Sequence, residues 1–527
     1  MNERLIEDWL TKINERGFEL PFCQILLSEG YRILRVGHSP YEDGKDIIAI
    51  NRKGQICAFQ LKGGDLDLET FEKHRGQIHA LVEAAVDLPN IKTDKAHYPY
   101  FVATGEISAP VLNRVKNLNV AWKRQKLKPL TLIGQKQLHQ DFVKISENFW
   151  PVAFPDVRAF LGLYLARGEG DLDRPTLADQ LSKLLSSDKP FPKTVLSRRM
   201  AASNIYTSYI LGEFYKKEDS WSILCAWIIC SSCIAWAAER DQLPDAMWRS
   251  SFNLAFDEAL NALGKLSAET LSERALFPRE PELDDYARAR NTLAISAVAA
   301  WNLVQKIRGT TDERLRDAVA LTKRFILEGR FFVWGESAVP YFLSIFWFLE
   351  NFTGGVSSES LPITILAALC RSNAQGSNTP LADPYKSIDD ILGDAWEKAH
   401  AGQISSPKVI ACRSYALESL VLLLTRRLRR QFLSGIWSDI TKVEMAEFRP
   451  TNVQDLLLWD CENGEERHSW PPRPGSWTEL RRKAQRVDVG MLPRVIRESP
   501  IFALLFLLAY PHRIGTNLVQ FVDKALT

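Results

Sequence analysis

The sequence has few of the features that usually reveal a protein's chemistry. Among 527 residues there are 8 cysteines, and the lone Cys-x-x-Cys pair, Cys230 and Cys233, has no second pair and no neighbouring histidine, which argues against zinc. Neither a GxxxxGK[ST] phosphate loop nor an HExxH motif occurs, so the chain carries no nucleotide motor of its own. Its net charge of +2 creates no bulk field, and any DNA contact must depend on local patches.

Membrane and export signals are also sparse. One uncharged run, Ser220 to Ala238, is long enough to span a membrane, but its serines and cysteines and the charged residues before it favour a buried bundle helix. The charges within Met1 to Leu10 predict that no signal peptide is present. With 46% hydrophobic and 25% charged residues, we expect a cytoplasmic protein with reduced cysteines, no membrane segment and at least two domains.

The most informative passage is a predicted hairpin. Ile47 to Ile50 and Gln55 to Leu61 are rich in β-formers, and the polar segment Asn51 to Gly54 reads as the loop between them. Folding about this loop places Asp46 nearly opposite Phe59 and Gln60, and strand alternation puts Lys62 on the same face as Gln60. An acid, an amide and an ammonium so placed can hold a divalent cation and act on a phosphate. For an isolated match of this kind, a solvated hairpin with scattered charges is the more common explanation.

The surrounding pattern predicts an α/β sandwich. Apolar spacing, caps and glycine stops give the order αβββαβαβα. The predicted elements are a helix from Gly17 to Glu29, strands from Tyr31 to Val36 and through the hairpin, a long helix from Leu66 to Val86, a strand from Tyr98 to Thr104, a helix after Ser108, a strand from Pro129 to Ile133 and a helix from Gln135 to Phe142.

Several passages, in this order, carry a resemblance to a known family. They are Phe18-Glu19, Leu26-Leu27, Gly30-Tyr31, Asp43-Gly44-Lys45-Asp46, Phe59-Gln60-Leu61-Lys62, Gly76-Gln77-Ile78, Phe101 to Ser108, and Leu132-Ile133-Gly134 with Leu138. The stretch from about Gly17 to Val143 resembles the PD-(D/E)xK nuclease superfamily, most closely its Mrr-type restriction endonuclease branch, where glutamine commonly replaces the second acid. The resemblance implies a restriction-endonuclease-like α/β fold.

The resemblance also implies roles for particular residues. Asp46 would be the principal metal ligand, Gln60 a second ligand through its amide oxygen, and Glu19 would complete the site directly or through water. Lys62 would orient the attacking water and stabilise the pentavalent phosphate, and Gln77 would support the site from the next helix. Oxygen ligands point to Mg²⁺ or Mn²⁺, and the neutral Gln60 implies weaker metal affinity than a second acid would give.

One departure from the family concerns Lys45, which occupies a position usually held by a small residue. Its ammonium could contact DNA, but we expect it to lie in solvent.

A basic patch is the candidate DNA-contacting surface. It is formed by Arg114, Lys116, Lys123, Arg124, Lys126 and Lys128, with Trp122 among them. Lys123, Arg124, Lys126 and Lys128, together with Gln77, are the nucleic-acid-binding candidates. Such a patch either grips the phosphate backbone or is an ordinary solvated surface.

The prolines within Asn148 to Pro155 mark a predicted domain boundary, with a nuclease domain over 1–147 and an all-α region over 148–527 that holds one or two subdomains. Apolar residues recur there at helical spacing, which predicts a helical bundle or solenoid, although no repeat of fixed length is present. The predicted helices are Val157 to Ala166, Leu177 to Leu185, Thr194 to Tyr215, Trp221 to Arg240, Met247 to Leu263, Asp285 to Ile307, Glu313 to Glu328, Val339 to Phe352, Ile388 to Ala399, Lys408 to Ile440 and Ile501 to Tyr510.

Two basic clusters in this region, Arg426 to Arg430 and Arg481 to Arg486, are interpreted as solvated helix faces in preference to nucleic-acid contacts.

Three hypotheses for function follow. The first is a metal-dependent DNA endonuclease, a bacterial restriction or anti-phage defence effector that forms a homodimer or larger oligomer and whose helical region senses a trigger or binds a protein partner. The second is a nucleic-acid-binding module with an inactive nuclease fold. The third is a helical protein-recognition scaffold with a tethered nuclease output. The first is preferred because Asp46, Gln60, Lys62 and Glu19 are all present.

Overall fold

A mixed β-sheet near the N-terminus and a large set of helices after it make up the computed structural model. It describes residues 10, 15–36, 44–86, 97–146, 163, 172–187, 189–272, 284–329, 331–353, 360–372, 413–460, 464–473 and 475–526. The chain divides into two compact units, one formed by Met1–Ala226 with Asp241–Ala255 and the other by Trp227–Arg240 with Phe256–Thr527. The boundary predicted at 147/148 lies outside the described residues and stays a prediction.

The first unit is built on a five-stranded sheet. Its strands are β1 (Arg32–Val36), β2 (Ile47–Ile50), β3 (Ile56–Lys62), β4 (Tyr98–Ala103) and β5 (Thr131–Ile133), in that spatial order. The pairs β1–β2 and β2–β3 are antiparallel, whereas β3–β4 and β4–β5 are parallel. An α/β part followed by a helical region is therefore as the sequence predicts.

Helices cover both faces of this sheet and continue beyond it. Those of the α/β part are α1 (Glu15–Ser28), α2 (Leu68–Lys73), α3 (Arg75–Glu83), α4 (Ala109–Arg124) and α5 (Gln135–Ser146). They are followed by α6 (Arg174–Leu185), α7 (Lys193–Ile210), α8 (Gly212–Lys216), α9 (Ser220–Arg240) and α10 (Asp245–Ser272). Because α7 packs against α1, the first unit extends past the α/β part.

The predicted helix from Leu66 to Val86 is wrong in one respect, since the structure divides it into α2 and α3 at His74. Asp67 caps α2 by accepting a hydrogen bond from the Thr70 amide at 2.8 Å. His74 leaves helical geometry with φ −95° and ψ 8°. The break turns α3 so that Gln77 reaches the sheet.

The hairpin is confirmed. Ile47 pairs with Phe59 and Ile50 with Ile56, and the loop closes through the Asn51 amide and the Gln55 carbonyl at 3.0 Å. Gly54 adopts φ +72° in this turn, a left-handed conformation that glycine takes without steric penalty.

Alternation along β3 separates the two faces of the sheet as expected. Phe59 stacks on Tyr100 with ring centroids 4.7 Å apart and meets Phe22 of α1 edge-on at 5.4 Å. Ala58 faces the opposite core, which includes Phe101 and residues of α2, α3 and α4. Gln60 and Lys62 follow Ala58 on that second face.

The second unit is mainly helical. Besides parts of α9 and α10 it contains α11 (Asp284–Ile307), α12 (Leu315–Leu327), α13 (Val339–Thr353), α14 (Ser360–Ser372), α15 (Leu417–Arg426), α16 (Arg430–Ile440), α17 (Trp477–Gln485), α18 (Arg494–Glu498), α19 (Pro500–Ala509) and α20 (Thr516–Leu526).

The all-α prediction for this region is wrong, because a three-stranded sheet interrupts it. Its strands are β6 (Arg413–Ser414), β7 (Glu444–Phe448) and β8 (Glu465–His468). The strands are short and β8 is wholly exposed, so no apolar alternation marks them in the sequence. Arg413 of β6 bridges Glu465 of β8 at 3.1 Å, so charged side chains contribute to the contacts across this sheet.

Of three other predicted helices, one differs from the structure and two lie wholly or mostly outside the described residues. The predicted helix from Lys408 to Ile440 is wrong, since β6, α15 and α16 occupy its described part. The predicted helix from Ile388 to Ala399 lies outside the described residues, as does the one from Val157 to Ala166 except for Leu163.

One helix among the described residues, α9, is long and apolar enough to cross a membrane. Buried positions make up 94% of its apolar window, as in the core helix of a soluble protein. This burial agrees with the interpretation of α9 as a bundle helix.

The packing of β3 against α1 generates a first prediction. Phe59→Ala removes the ring that touches Tyr100 and Phe22, and we expect it to destabilise the α/β part by about 3–5 kcal/mol. Amide hydrogen exchange of β2, β3 and β4 in the full-length protein measures this change. The control is Val120→Ala, at a position 53% exposed on α4, which should shift stability by no more than about 0.5 kcal/mol. Equal exchange in the two variants would contradict the packing described above.

Candidate active site

The β2–β3 pairing brings Asp46 and Gln60 together. The Asp46 amide donates to the Phe59 carbonyl at 2.9 Å, one position beyond the Ile47–Phe59 pair, so Asp46 lies opposite Gln60. Its Oδ2 accepts a hydrogen bond from the Leu61 amide at 2.6 Å. The carboxylate is therefore fixed beside Gln60 by the backbone of the partner strand.

Gln60 is 2% exposed. The nitrogen of its side-chain amide has a hydrogen-bond partner, and the oxygen has none among the described residues. Nε2 donates to Gln77 Oε1 at 3.0 Å, whereas Oε1 is buried and has no hydrogen-bond partner among the described residues. Leaving a buried acceptor unpaired costs about 1–3 kcal/mol. An orphaned acceptor in a buried position calls for an explanation such as an ion or a water.

Gly44 keeps the space beside this oxygen open. It adopts φ +70°, and a Cβ at this position would lie 2.7 Å from the Gln77 carbonyl oxygen and 3.5 Å from Gln60 Oε1. A larger residue would therefore clash with α3 and crowd the amide oxygen.

Gln77 of α3 contacts Gln60 directly. Its Oε1 is 3.2 Å from His74 Nδ1 and also accepts the Gln60 hydrogen bond. His74 was not among the sequence candidates. The one feature of the sequence that points to His74 is its position three residues before Gln77. Residues three apart lie on the same face of a helix.

Lys62 ends β3 and is held by an acid from α1. Its Nζ is 2.8 Å from Glu15 Oε2, and its side chain is 16% exposed. Sequence reasoning missed Glu15. The signal that could have found it is the spacing of four residues between Glu15 and Glu19, which puts both carboxylates on one face of the helix.

Glu19 is buried on α1, with 2% of its surface exposed. Three residues further on, Phe22 contacts Phe59 of β3, and four residues earlier, Glu15 contacts Lys62. The structure therefore brings Glu19 to the sheet on the helix face that also meets β3.

The donor set fits a hard divalent cation. A carboxylate from Asp46 and an unpartnered amide oxygen from Gln60 are the ligand types that Mg²⁺ and Mn²⁺ prefer. Over the described ranges, no group of three or more His, Cys, Asp and Glu side chains could hold a metal ion. A cation bound by Asp46 would therefore need the neutral amide oxygen of Gln60, together with water or phosphate oxygens, to complete its coordination.

The expectation that Lys45 lies in solvent is wrong. Lys45 is 4% exposed, and its Nζ is 3.4 Å from the Ala80 carbonyl oxygen of α3. Its aliphatic stem is buried while the ammonium reaches a backbone carbonyl. Asp43, in the same predicted motif, lies outside the described residues.

The C-terminal part of the basic patch does not lie beside this site. Lys123 and Arg124 end α4, Lys126 and Lys128 follow it, and Lys128 Nζ lies 5.1 Å from the Tyr98 ring centroid. Tyr98 begins β4, whereas Lys62 pairs with Ala103 at the other end of that strand, about 17 Å away at the usual rise per residue.

Two other members of the patch are engaged within the protein. Trp122 is buried and donates to Glu83 Oε1 at 3.0 Å, so it offers no exposed ring for stacking. Arg114 pairs with Glu72 at 3.2 Å.

An open cleft of about 770 Å³ begins at the end of the sheet where Lys62 lies. Its lining includes Glu106, Gln135, Lys136, His139 and Gln140. Asp65, three residues after Lys62, is hydrogen-bonded to a lining residue of this cleft. Its Oδ1 accepts a hydrogen bond from the Glu106 amide at 2.7 Å. Sequence reasoning passed over these residues, and their one signal is the polar run that follows Gly134.

Comparison of the chain with protein-family models, with curated proteins and with solved structures returned no match. The interpretation of the site therefore depends on its own geometry and chemistry.

The environment of His74 generates a second prediction. Burial lowers the pKa of His74, the Lys62 ammonium lowers it further, and the hydrogen bond with Gln77 opposes both effects. Lys62→Met should therefore raise the pKa of His74. Lys53→Met, at the exposed hairpin tip, should leave it unchanged. Histidine-selective ¹³C labelling and an NMR titration of both variants measure the shift.

The sign of the stability effect follows from the same shift. A pKa lowered by folding means that the folded state binds fewer protons than the unfolded chain, so the contribution of His74 is present above about pH 6.5 and is lost as the pH falls below it. A His74 pKa that does not change in Lys62→Met would contradict this account of the site.

Proposed function

We propose that the first unit is a divalent-metal-dependent DNA endonuclease that hydrolyses phosphodiester bonds and is similar to the Mrr-type branch of the PD-(D/E)xK superfamily. One observation carries the proposal. Asp46 and the buried, unpartnered Oε1 of Gln60 lie at facing positions of an antiparallel pair, and Lys62 follows two residues later on the same face.

The residues have separate roles in this proposal. Asp46 and Gln60 hold Mg²⁺ or Mn²⁺, and Glu19 adds a carboxylate from α1 directly or through water. When bound, a cation there would supply an activated water and neutralise charge on the phosphate. Lys62 orients the water and donates to the phosphate oxygens as their charge grows. Glu15 holds the Lys62 ammonium in place through the 2.8 Å ion pair.

The biological role proposed is that of a bacterial restriction or anti-phage defence effector in the cytoplasm. Cleaving both strands of DNA requires two active sites, so a homodimer or larger assembly follows from the activity. The helical second unit would then sense a trigger, bind a protein partner or assemble the oligomer.

The ion pair between Lys62 and Glu15 favours a second candidate, a nucleic-acid-binding module with an inactive site. A lysine engaged by a carboxylate has less freedom to donate to a phosphate. Metal-independent DNA binding without cleavage supports this candidate. Specific capture of one protein by the chain, with no nucleic-acid binding, supports instead a helical protein-recognition scaffold.

The third prediction concerns cleavage. With Mg²⁺ or Mn²⁺ and plasmid or phage DNA, modified and unmodified, we expect nicking or cutting that EDTA abolishes. Asp46→Asn and Lys62→Met should each lower the rate by about 100-fold or more, because they remove a ligand and a donor to the developing charge. Lys53→Met is the matched control, since it removes the same charge at the far end of the hairpin. Cleavage that survives in Asp46→Asn would rule out the proposed site.

The fourth prediction separates metal binding from cleavage. Gln60→Glu adds a negative ligand, so Mn²⁺ should bind about tenfold more tightly, while Asp46→Asn should weaken binding. Isothermal titration calorimetry with the full-length protein measures both. Gln55→Glu makes the same chemical change at the start of the hairpin strand, beside Tyr98, and should have no effect. Equal Mn²⁺ affinity in all these proteins would place the metal elsewhere.

A further inference from the structure

A cavity of about 380 Å³ lies within the second unit, separate from the proposed nuclease site. It is lined by Glu350 of α13, Thr425, Arg426 and Arg427 at the end of α15, and Arg481 and Gln485 of α17. All three of these arginines belong to clusters that the sequence assigned to solvated helix faces. That assignment is wrong for Arg426, whose side chain is 10% exposed.

All three guanidinium nitrogens of Arg427 donate hydrogen bonds to carboxylates. Its Nε and Nη2 donate to Glu350 at 2.7 and 2.6 Å, and its Nη1 and Nη2 donate to Asp523 at 3.0 and 2.7 Å. Asp523 is buried and also accepts from Trp347 Nε1 at 2.8 Å. This bidentate arrangement holds the cavity wall rigid.

Arg426 is only partly satisfied. Its Nη2 contacts Asp523 Oδ2, but its Nη1 is buried and has no hydrogen-bond partner among the described residues. Burial and the neighbouring Arg427 lower the pKa of Arg426 to about 10, so it remains charged at neutral pH. A buried, charged donor without a partner is costly, and the charge of an anion in the cavity would offset part of that cost.

The charge balance also favours an anion. Arg426, Arg427 and Arg481 face Glu350 and Asp523, which leaves one positive charge in excess. Arg481 is exposed on α17, and no carboxylate among the described residues pairs with it. The cavity lining therefore includes one largely buried arginine, Arg426, and one exposed arginine, Arg481.

We propose that this cavity binds a small molecule that carries a phosphate group, with Arg481 donating to the phosphate oxygens and Arg426 contributing its positive charge from the cavity wall. Arginine forks suit phosphate geometry, and a volume of about 380 Å³ is within the range of small-molecule sites. None of the lining residues is aromatic, so recognition rests on the phosphate and not on stacking of a base.

Calorimetric titration of the full-length protein with inorganic phosphate and with adenosine monophosphate, at constant ionic strength, tests the proposal. Saturable binding is expected for at least one of these probes. Arg481→Gln should weaken it about tenfold, the value of one charge-assisted hydrogen bond. Arg482→Gln is the matched control, since its side chain is 82% exposed on the same helix and does not line the cavity.

The double variant Arg426→Gln with Asp523→Asn tests the buried donor. It removes one charge of each sign, so neither partner is left as an unpaired ion, and it should abolish binding. If this variant does not fold, as judged by circular dichroism, Arg481→Gln still decides the question. The proposal is overturned if neither probe binds, if Arg482→Gln weakens binding as much as Arg481→Gln, or if only an oligonucleotide binds. Nuclease activity does not enter the readout, so this result is independent of the proposed function.

Discussion

The register of β2 against β3 is the constraint on which the candidate active site depends. Because Ile47 pairs with Phe59, Asp46 falls opposite Gln60, and strand alternation carries Lys62 to the same face. A slip of one residue would turn Gln60 and Lys62 toward Phe22 and the aromatic core of α1. Phe59, stacked on Tyr100 and edge-on to Phe22, therefore fixes the positions of Gln60 and Lys62 as well as the packing of the sheet.

Local patterns determine the part of the structure that the sequence predicted. The hairpin, its loop at Asn51 to Gly54, the strands around it and the face shared by Gln60 and Lys62 all follow from spacing over a few residues. The break at His74 was missed because it depends on capping by Asp67 and on the position of α3 over the sheet. The second sheet was missed because its strands are short and carry charged side chains, such as Arg413 of β6 and Glu444 of the neighbouring β7, which lie 3.9 Å apart.

Charged residues were the least predictable, since their partners come from distant parts of the chain. Lys45 is buried against the Ala80 carbonyl, Lys62 meets Glu15 of α1, and Arg427 meets both Glu350 and Asp523. No local pattern contains these pairs. A run of basic residues therefore predicts a positively charged surface only when the acidic partners of those residues are known. The run of basic residues near Lys128 also did not indicate that it would lie at the end of the sheet away from Lys62.

Gln60 and Arg426 each have a buried polar atom that lacks a hydrogen-bond partner among the described residues. Gln60 Oε1 is an acceptor without a donor, and Arg426 Nη1 is a donor without an acceptor. In each case the rest of the side chain is held firmly, by Gln77 and by Asp523 respectively, so the free atom cannot turn toward another group. Because burial without a partner is costly, a cation beside Gln60 or an anion beside Arg426 would offset that cost.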